Sequence, residues 1–468
     1  MKKKVREILE GVVIESVAAE GRSIARVNGK VLFVPFAIPG DIADIEIHRK
    51  KSGWMEGIVK KIVTPSPDRS TPFCSHYGTC GGCKWQPLPY PLQLKYKEQQ
   101  VEDQLKRIGG LELPDILPII GSEKTINYRN KLEFTFSNKR WVNSLSEADN
   151  LSEKERYGLG FHIAGMFDKV LDIEKCYLQD EPSNEIRNFV KTFAVENGFS
   201  FFDLREQTGL MRNLIIRTTS TGEVMVILVF YYFDKDRIYR LLDNLISTFA
   251  QITSLNYVIN NKRNDTINDL EVVNYNGQDC VYEVMEDLKF RIGPKSFYQT
   301  NSLQAYKLYK VVRDFADLKG NEILYDLYTG TGTIALFLAS HVSKVIGIEY
   351  VPEAISDANI NASVNGVSNS FFYSGDMKDV LSESFVEQNG NPDVVVLDPP
   401  RAGVHPNVID VIIKVRPSKI VYVSCNPATQ ARDISLMKEY YSVLKIQPVD
   451  MFPHTHHLEN VVLLELNK

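Results

Sequence analysis

Five short apolar runs in the last third of the sequence each end in, or next to, a polar side chain that could take part in chemistry. These side chains are Asp326, Glu349, Asp376, Asp398 and Cys425. Helix-like stretches separate the runs, and this alternation predicts an α/β fold with a doubly wound parallel sheet. Because ligands bind at the carboxyl ends of parallel strands, we expect the five side chains to share one site.

The cysteine could act as a nucleophile. Cys425 lies in the turn SCNPAT, and the neighbouring strand end carries DPPRAG at 398–403, where Asp398 and two prolines predict a rigid, exposed lip. Nucleotide-modifying methyltransferases place such a lip beside the target base. A thiolate there could attack C6 of a pyrimidine and make C5 electron-rich enough to accept a methyl group. A single cysteine is more often a small buried hydrophobe, but the edge that it shares with Asp398 favours the reactive role.

The same reaction needs a base that removes the proton from C5. Glu459 ends the stretch PHTHHLE at 453–459 and comes immediately before the last apolar run. It can reach the active edge only if that final strand runs antiparallel to the others, which predicts a mixed sheet. The alternative is a metal site built from Glu459 with His454, His456 and His457. The nearby thiol nucleophile favours the base.

A glycine turn is predicted between the first strand and helix of this region. In DLYTGTGTIA, at 326–335, Gly330 and Gly332 would let the backbone approach a ligand closely. Glu349 follows the first aspartate of this motif by 23 positions and is well placed to bind ribose hydroxyls. The glycine spacing also satisfies the dinucleotide fingerprint, so NAD remains an alternative to S-adenosylmethionine. The proline lip favours S-adenosylmethionine, because hydride transfer needs no such feature.

A second group of candidate ligands lies near the N terminus, in FCSHYGTCGGCKW at 73–85. Its cysteines are Cys74, Cys80 and Cys83. Their spacing suits zinc about as well as iron–sulfur, and His76 is a further possible ligand. The residues alone leave both alternatives open.

The first 64 residues predict a small β-barrel that binds a polyanion. They form closely spaced β-like runs and hold 12 Lys and Arg against 8 Asp and Glu, although the whole chain has a net charge of −5. A locally basic module on an acidic body suits a nucleic acid partner. Phosphate contacts and one stacking surface are expected from Lys50, Lys51, Lys60, Lys61 and Trp54.

Nothing in the sequence predicts a membrane protein. The longest apolar run, at 224–233, is too short to span a bilayer as a helix. The basic first residues are followed by charges where a signal peptide would be apolar. We therefore expect a cytoplasmic protein that contacts no membrane, and no obligate protein partner is inferred.

Five motifs together resemble the RNA uracil-5 methyltransferases, specifically their 23S ribosomal RNA branch. They are FYQTN at 297–301, DLYTGTG, DPPRAG, SCNPAT and PHTHHLE, and the resemblance covers nearly the whole chain. It implies a Rossmann-like catalytic domain, an OB-like TRAM barrel at the N terminus, and an α+β central domain. The boundaries expected for these domains are 1–64 for the barrel, 73–290 for the central domain and 291–468 for the catalytic domain.

The resemblance also implies roles for individual residues. It implies S-adenosylmethionine contacts at Gln299, Tyr328, Glu349 and Asp398, to which the edge itself adds Asp326, Gly330 and Asp376. It makes Cys425 the nucleophile and Glu459 the base. It also implies a four-iron, four-sulfur cluster on the three clustered cysteines, with Cys176 as the fourth ligand.

The expected partner is RNA, most of all ribosomal RNA. Related cytosine enzymes carry a second cysteine in the proline motif, which here reads DPPR, so uracil is favoured. In NYRNKLEF, at 127–134, Arg129 and Lys131 match a family segment that faces RNA. The alternatives are a uridine in the T-loop of transfer RNA and an RNA-binding protein that has lost its activity. The polar stretch at 141–156 is expected to be a loop outside the family pattern.

Overall fold

The computed structural model describes residues 7–142 and 144–468. The strands of these residues form three large sheets and one two-stranded hairpin. No helix in the same ranges is long and apolar enough to cross a membrane. The first six residues, which begin the predicted barrel, lie outside the described ranges.

The first sheet consists of short strands, most of which alternate buried and solvent-facing side chains. Its strands are β1 (Ile8–Val13), β2 (Ser16–Val17), β3 (Ser23–Val27), β4 (Lys30–Val34), β5 (Ile42–Lys50) and β6 (Trp54–Thr64). They are ordered β1-β5-β6-β4-β3-β2. Main-chain hydrogen bonds from Ile14 to Asp41 and from Glu15 to Ile24 bring the end of β1 against β3 as well as β5. The sheet therefore curls around its own small core, which confirms a β-rich N-terminal module.

The second sheet lies in the middle of the chain. Its strands are β7 (Lys131–Ser137), β8 (Gly158–Ile163), β9 (Met166–Asp172), β10 (Met211–Thr218), β11 (Val224–Phe230), β12 (Ile252–Ile259) and β13 (Val272–Gly277). They are ordered β13-β12-β11-β10-β7-β8-β9, and all neighbours except β11 and β12 are antiparallel. Two helices, α3 (Ser183–Glu196) and α4 (Lys235–Thr248), pack against this sheet. The hairpin β14 (Val281–Met285) and β15 (Leu288–Ile292) follows.

The third sheet is mixed. Its strands are β16 (Ile323–Leu327), β17 (Lys344–Glu349), β18 (Ser370–Ser374), β19 (Val394–Leu397), β20 (Lys419–Ser424), β21 (Tyr441–Val449) and β22 (Glu459–Leu466). They are ordered β18-β17-β16-β19-β20-β22-β21. The first five in this order are parallel, whereas β22 runs antiparallel to both of its neighbours. This confirms the Rossmann-like fold with an antiparallel last strand.

Helices cover both faces of the third sheet. They are α5 (Ser302–Ala316), α6 (Thr333–Ala339), α7 (Pro352–Val364), α8 (Met377–Val380), α9 (Glu383–Asn389), α10 (Pro406–Val415) and α11 (Pro427–Met437). A helix from much earlier in the chain, α1 (Tyr90–Gly109), joins this layer. Its Val101 and Leu105 are fully buried in the same core as Ile420 and Ala431. The N-terminal half of the chain therefore contributes directly to the helical layer on the third sheet.

The polar stretch at 141–156 contains regular structure. It includes α2 (Leu145–Asn150) and a single helical turn at Lys154–Arg156. Ser144 starts α2 by accepting a hydrogen bond from the Glu147 backbone N–H at 3.1 Å, an ordinary N-cap. The expectation of an irregular loop missed this helix, because a helix of six residues presents too few apolar positions for a periodic pattern.

Candidate active site

The parallel strands bring four of the five predicted residues to one edge of the third sheet. Glu349 ends β17, whereas Asp398 and Cys425 come directly after β19 and β20. Asp326 is the last residue but one of β16 and is fully buried. Asp376 lies two positions beyond β18, at the start of α8, and is further from the centre of the sheet.

The glycine turn after β16 presents open backbone. Tyr328 has a positive φ of 69°, and its N–H donates to the Ile348 carbonyl at 3.0 Å, which anchors the turn on β17. Gly330 also has a positive φ, of 56°, and a Cβ placed there would meet no described atom within 4 Å. A ligand can therefore approach the main chain at Gly330 without a side chain in the way.

Two carboxylates hold this turn in place. One oxygen of Asp326 accepts hydrogen bonds from the Thr329 hydroxyl at 2.6 Å and the Ala335 N–H at 3.1 Å. Burial raises the pKa of Asp326 to about 7. The oxygens of Glu349 accept from the Gly330 N–H at 3.2 Å and from the N–H two residues beyond Glu349 at 3.0 Å. Asp326 therefore holds the turn from within the core, whereas Glu349 holds its main chain from the end of β17.

The remaining predicted cofactor contacts differ in their surroundings. Gln299 is 9% exposed, and its backbone carbonyl accepts a hydrogen bond from the Asn130 side chain at 2.9 Å. Asp376 accepts from the Lys378 N–H at 3.2 Å and pairs with the Lys378 ammonium at 3.0 Å. These bonds account for Asp376 as the N-cap of α8, and they lower its pKa.

The turn that carries Cys425 is tied to the proline lip. Asn426 caps α11 by accepting from the Ala428 N–H at 3.2 Å. The Asn426 amide and the Thr429 hydroxyl both donate to the Arg401 carbonyl, each at 3.2 Å. The two loops are therefore fixed to each other, which holds the Arg401 side chain beside the cysteine.

Arg401 is the cation of this site. Burial and the nearby carboxylates of Glu459 and Asp398 raise the pKa of the Cys425 thiol to about 11, whereas the Arg401 guanidinium lowers it. Arg401 also lies 3.4 Å from Nδ1 of His457. No role for Arg401 was predicted from the sequence, where it appeared only within DPPRAG. Its role could have been predicted, because Arg401 is the one cation of a motif that was expected to lie next to a thiolate.

Glu459 lies opposite the cysteine. Ser424, the last residue of β20, pairs with Asn460 on β22, so the next pair along the antiparallel register is Cys425 and Glu459. Glu459 is 5% exposed, and its Oε2 has no hydrogen-bond partner within the described ranges. Burial and the Asp398 carboxylate raise the pKa of Glu459 well above its usual value, and Arg401 lowers it. A buried carboxylate with one unbonded oxygen is suited to accept a proton from a ligand.

The loop before Glu459 is held by residues that are distant in sequence. The His454 N–H donates to the Gln93 side chain at 2.8 Å, and the His454 carbonyl accepts from the Lys84 and Trp85 N–H groups at 2.9 and 3.0 Å. The Tyr128 hydroxyl donates to the Pro453 carbonyl at 3.0 Å. This loop therefore takes its shape from the first third of the chain.

The histidines before Glu459 do not form a metal site among the described residues. No group of three or more His, Cys, Asp or Glu in these ranges is arranged to hold a metal ion. Nδ1 of His454 lies 3.2 Å from the Gln93 amide. Burial lowers the pKa values of His454, His456 and His457 to about 4, 3 and 4. These imidazoles are therefore neutral packing groups at physiological pH.

The four predicted cluster ligands do meet. Cys74, Cys80, Cys83 and Cys176 line one cavity of about 430 Å³. The described side chains around it do not converge closely enough to hold a single metal ion, so neither zinc nor iron–sulfur binding is shown. Burial and the other cysteines raise the pKa values of Cys80 and Cys83 to about 11 and 12. His76 is engaged elsewhere, since its Nε2 accepts from the Glu174 N–H at 3.1 Å.

Comparison with known proteins gives a consistent family. The model of the tRNA (uracil-5-)-methyltransferase family matches residues 216–467, and the TRAM domain model matches residues 2–60. An RNA methyltransferase of Bacteroides thetaiotaomicron is 58% identical over 96% of this chain and 100% of its own. One of Porphyromonas gingivalis is 57% identical over 97% of this chain and 99% of its own.

One solved structure matches the whole architecture. It is the tRNA (uracil-54, C5)-methyltransferase of Pyrococcus abyssi in complex with S-adenosyl-L-homocysteine, with a TM-score of 0.75 and 29% identity. The match covers 97% of this chain and 100% of the Pyrococcus chain. The protein therefore belongs to the tRNA (uracil-5-)-methyltransferase family of RNA methyltransferases and carries an N-terminal TRAM domain.

Proposed function

We propose that the protein transfers a methyl group from S-adenosylmethionine to C5 of a uridine in RNA, through a covalent bond between Cys425 and C6. The observation that carries this proposal is the placement of Cys425 opposite Glu459 at the ends of β20 and β22, with Arg401 beside both. The reaction requires a nucleophile and a base, and the cation beside them favours the ionised form of each.

The residues around the glycine turn fit S-adenosylmethionine, which supplies the methyl group when it is bound. Gly330 leaves room for close backbone approach, and Glu349 stands where ribose hydroxyls would bind. The proposed contacts also include Gln299, Tyr328 and Asp398. Asp326 shapes the glycine turn, and Asp376 would contact the cofactor from the start of α8. The Pyrococcus relative binds S-adenosyl-L-homocysteine, which supports this choice over NAD.

The chain's own groups act in sequence. The thiolate of Cys425 adds to C6 of uracil, and the electron pair of the C5–C6 bond makes C5 the nucleophile that takes the methyl group. C5 then carries both the methyl group and its original hydrogen. The ionised Glu459 carboxylate removes that hydrogen as a proton, the C5–C6 bond re-forms, and the thiolate leaves C6. Arg401 favours the ionised forms of both Cys425 and Glu459.

The step at which each residue acts can be tested directly. Glu459→Gln should lose a factor on the order of 10² to 10⁴ in turnover and accumulate methylated RNA bound to the protein. This complex should appear as a denaturant-stable band that is absent from the double variant with Cys425→Ala. Glu465→Gln, an exposed change on the same strand, is the matched control. Full turnover by Glu459→Gln, or methylation by Cys425→Ala, would reject the mechanism.

For the RNA target we place a uridine of 23S ribosomal RNA first, in the cytoplasm. The combination of a TRAM module with a cysteine-lined cavity supports this choice, as does the motif resemblance. The name of the Pyrococcus relative gives transfer RNA uridine 54 as its target, which makes a transfer RNA uridine the second candidate. Mapping 5-methyluridine in both RNAs from a deletion strain and from the complemented strain would decide, because only the true target loses and regains the modification.

We also propose that Cys74, Cys80, Cys83 and Cys176 hold a four-iron, four-sulfur cluster. Such a cluster is larger than a single ion, so thiolates spaced around a cavity suit it better than they suit zinc. Anaerobically purified protein should contain about four iron atoms per chain. Cys176→Ser should lose them, whereas Cys280→Ser, at a buried cysteine outside the cavity, should retain them. Stoichiometric zinc without iron would reject the assignment.

The expected division at 1–64, 73–290 and 291–468 belongs to the same proposal, with the TRAM and central domains presenting RNA to the catalytic domain. Lys50, Lys51, Lys60 and Lys61 near Trp54, together with Arg129 and Lys131, would supply the RNA contacts. An unaltered protein that binds RNA but transfers no methyl group would instead support the alternative of an inactive RNA-binding protein.

A further inference from the structure

Three segments that lie far apart in sequence meet behind the candidate active site. The Trp85 indole N–H donates to the Gly21 carbonyl at 3.1 Å, and the Lys84 ammonium donates to the Glu20 carbonyl at 3.2 Å. The backbone N–H groups of the same Lys84 and Trp85 hold the His454 carbonyl. A loop of the TRAM module is therefore connected to the loop that carries Glu459. The connection runs through Lys84 and Trp85, at the end of the cysteine-rich stretch 73–85, and through direct packing.

The contact at Gly21 is tight. Gly21 is buried and has a positive φ of 74°, which favours glycine. A Cβ there would lie 3.2 Å from Nδ1 of His456 and 3.1 Å from Cδ of Lys84, closer than ordinary van der Waals contact. Nδ1 of His456 is buried and has no hydrogen-bond partner among the described residues. Packing against Gly21, rather than a hydrogen bond, therefore holds this side of the imidazole.

Further contacts lead from His456 to the reactive groups. The rings of His456 and His457 lie 3.9 Å apart between centroids. His457 in turn lies 3.4 Å from the guanidinium of Arg401 through its Nδ1. Arg401 is the cation beside Cys425 and Glu459. The steps from His456 to Arg401 are direct contacts, and Arg401 acts on Cys425 and Glu459 through its charge. A displacement of His456 therefore has a physical route to the catalytic groups.

We infer that the TRAM loop at Gly21 packs behind the active site and positions Arg401 through His456 and His457. The inference rests on the proposed function and extends it. The TRAM module contributes to the chemical step as well as to RNA binding. Gly21 and His456 are positioning residues, since neither is expected to touch the uracil.

The chain offers a matched pair of variants for the test. Gly29 has the same φ of 74°, but it is exposed and a Cβ there would meet no described atom within 4 Å. Gly21→Ala and Gly29→Ala therefore carry the same backbone cost, and only the first presses on His456. With total RNA from a strain that lacks this protein, Gly21→Ala should lower turnover at saturating RNA on the order of tenfold to a hundredfold. Its RNA affinity should equal that of Gly29→Ala.

Equal turnover of the two glycine variants at saturating RNA would overturn the inference, and so would a loss seen only as weaker RNA binding. If thermal unfolding shows that Gly21→Ala does not fold, His456→Ala takes its place. This variant removes the ring between Gly21 and His457 and should show the same loss of turnover. Full turnover by folded His456→Ala would likewise overturn the inference. Failure of the proposed function looks different, because the unaltered protein would then transfer no methyl group to this RNA.

Discussion

The two halves of the proposed catalytic edge, one for the cofactor and one for the reaction, differ in how their polar groups are bonded. On the cofactor side, the carboxylates of Asp326, Glu349 and Asp376 accept hydrogen bonds from main-chain groups of nearby loops. On the reactive side, Glu459 keeps one oxygen without a partner among the described residues, and Cys425 lies near the carboxylates of Glu459 and Asp398 and the guanidinium of Arg401. Each of the three cofactor-side carboxylates is therefore anchored to the main chain before any ligand arrives, although Oδ1 of Asp326 also has no partner among the described residues. On the reactive side, the unbonded oxygen of Glu459 leaves bonding capacity for the substrate.

The glycine turn on the cofactor side and the loop before Glu459 also differ in the sequence distance over which each is supported. Glu349 lies 19 positions from Gly330, to which it is bonded. The loop before Glu459 depends on a Lys97–Asp450 pair that joins residues 353 positions apart. A local turn can form within one βα unit, but the reactive loop takes shape only when the whole chain has folded. Substitutions at four positions test this comparison.

Breaking the long-range support should have the largest effect. Lys97 and Asp450 are both 0% exposed and lie 2.6 Å apart. Lys97→Met leaves a buried carboxylate without its cation, so the free energy of unfolding should fall by about 3–5 kcal/mol. Denaturant unfolding should show a change of at most about 0.5 kcal/mol for Lys106→Met, which breaks an exposed pair on the same helix. If Lys97→Met lowered the free energy of unfolding as little as Lys106→Met does, the loop before Glu459 would not depend on the buried pair.

The next largest effect should come from the cation of the reactive half. Without Arg401, the pKa of Cys425 should rise above its value of about 11, so a smaller fraction of the thiol is ionised at neutral pH. The thiolate is the reactive form, and one unit of pKa is a tenfold change in its population well below the pKa. The pH–rate curve of Arg401→Met should therefore shift to higher pH. Arg416→Met, after α10, should leave the curve in place, and an unshifted curve for Arg401→Met would contradict this role.

A smaller effect is expected on the cofactor side. Glu349→Gln replaces one acceptor oxygen by an NH₂ group that faces a backbone N–H, at Gly330 or at Val351. The loss of a hydrogen bond to a charged group should weaken S-adenosylhomocysteine binding by about 1.5 kcal/mol, or roughly tenfold. Titration calorimetry would measure it, with Glu353→Gln in the first turn of α7 as the control. Unchanged affinity would place the ribose elsewhere.

The smallest effect is expected at Asp376, because its side chain is exposed and already bonded as a helix cap. Asp376→Ser keeps a cap acceptor and Asp376→Ala removes it. If the residue only caps α8, Asp376→Ser should bind S-adenosylhomocysteine as tightly as the unaltered protein. Asp376→Ala should bind it slightly more weakly. An equal and large loss in both variants would instead establish Asp376 as a direct cofactor contact.

Much of the fold could be predicted from the sequence. The five parallel strands were visible because each is a short apolar run with a helix after it, and a polar residue marks each carboxyl end. The antiparallel β22 followed from the requirement that Glu459 reach the same edge, and the structure confirms that orientation. These features depend on local hydrogen bonding and on apolar periodicity, both of which can be recognised in about a dozen consecutive residues.

The support of the reactive half could not be predicted in this way. Nothing in the local pattern of α1 shows that Val101 and Leu105 pack into the catalytic core, or that Gly21 lies against His456. The motif letters named Cys425 and Glu459, but only the tertiary structure showed that the charge of Arg401 acts on both. A short stretch of sequence is enough to predict the contacts that its residues make with one another. Burial and charge pairing between residues hundreds of positions apart arise only when the chain closes those loops on folding.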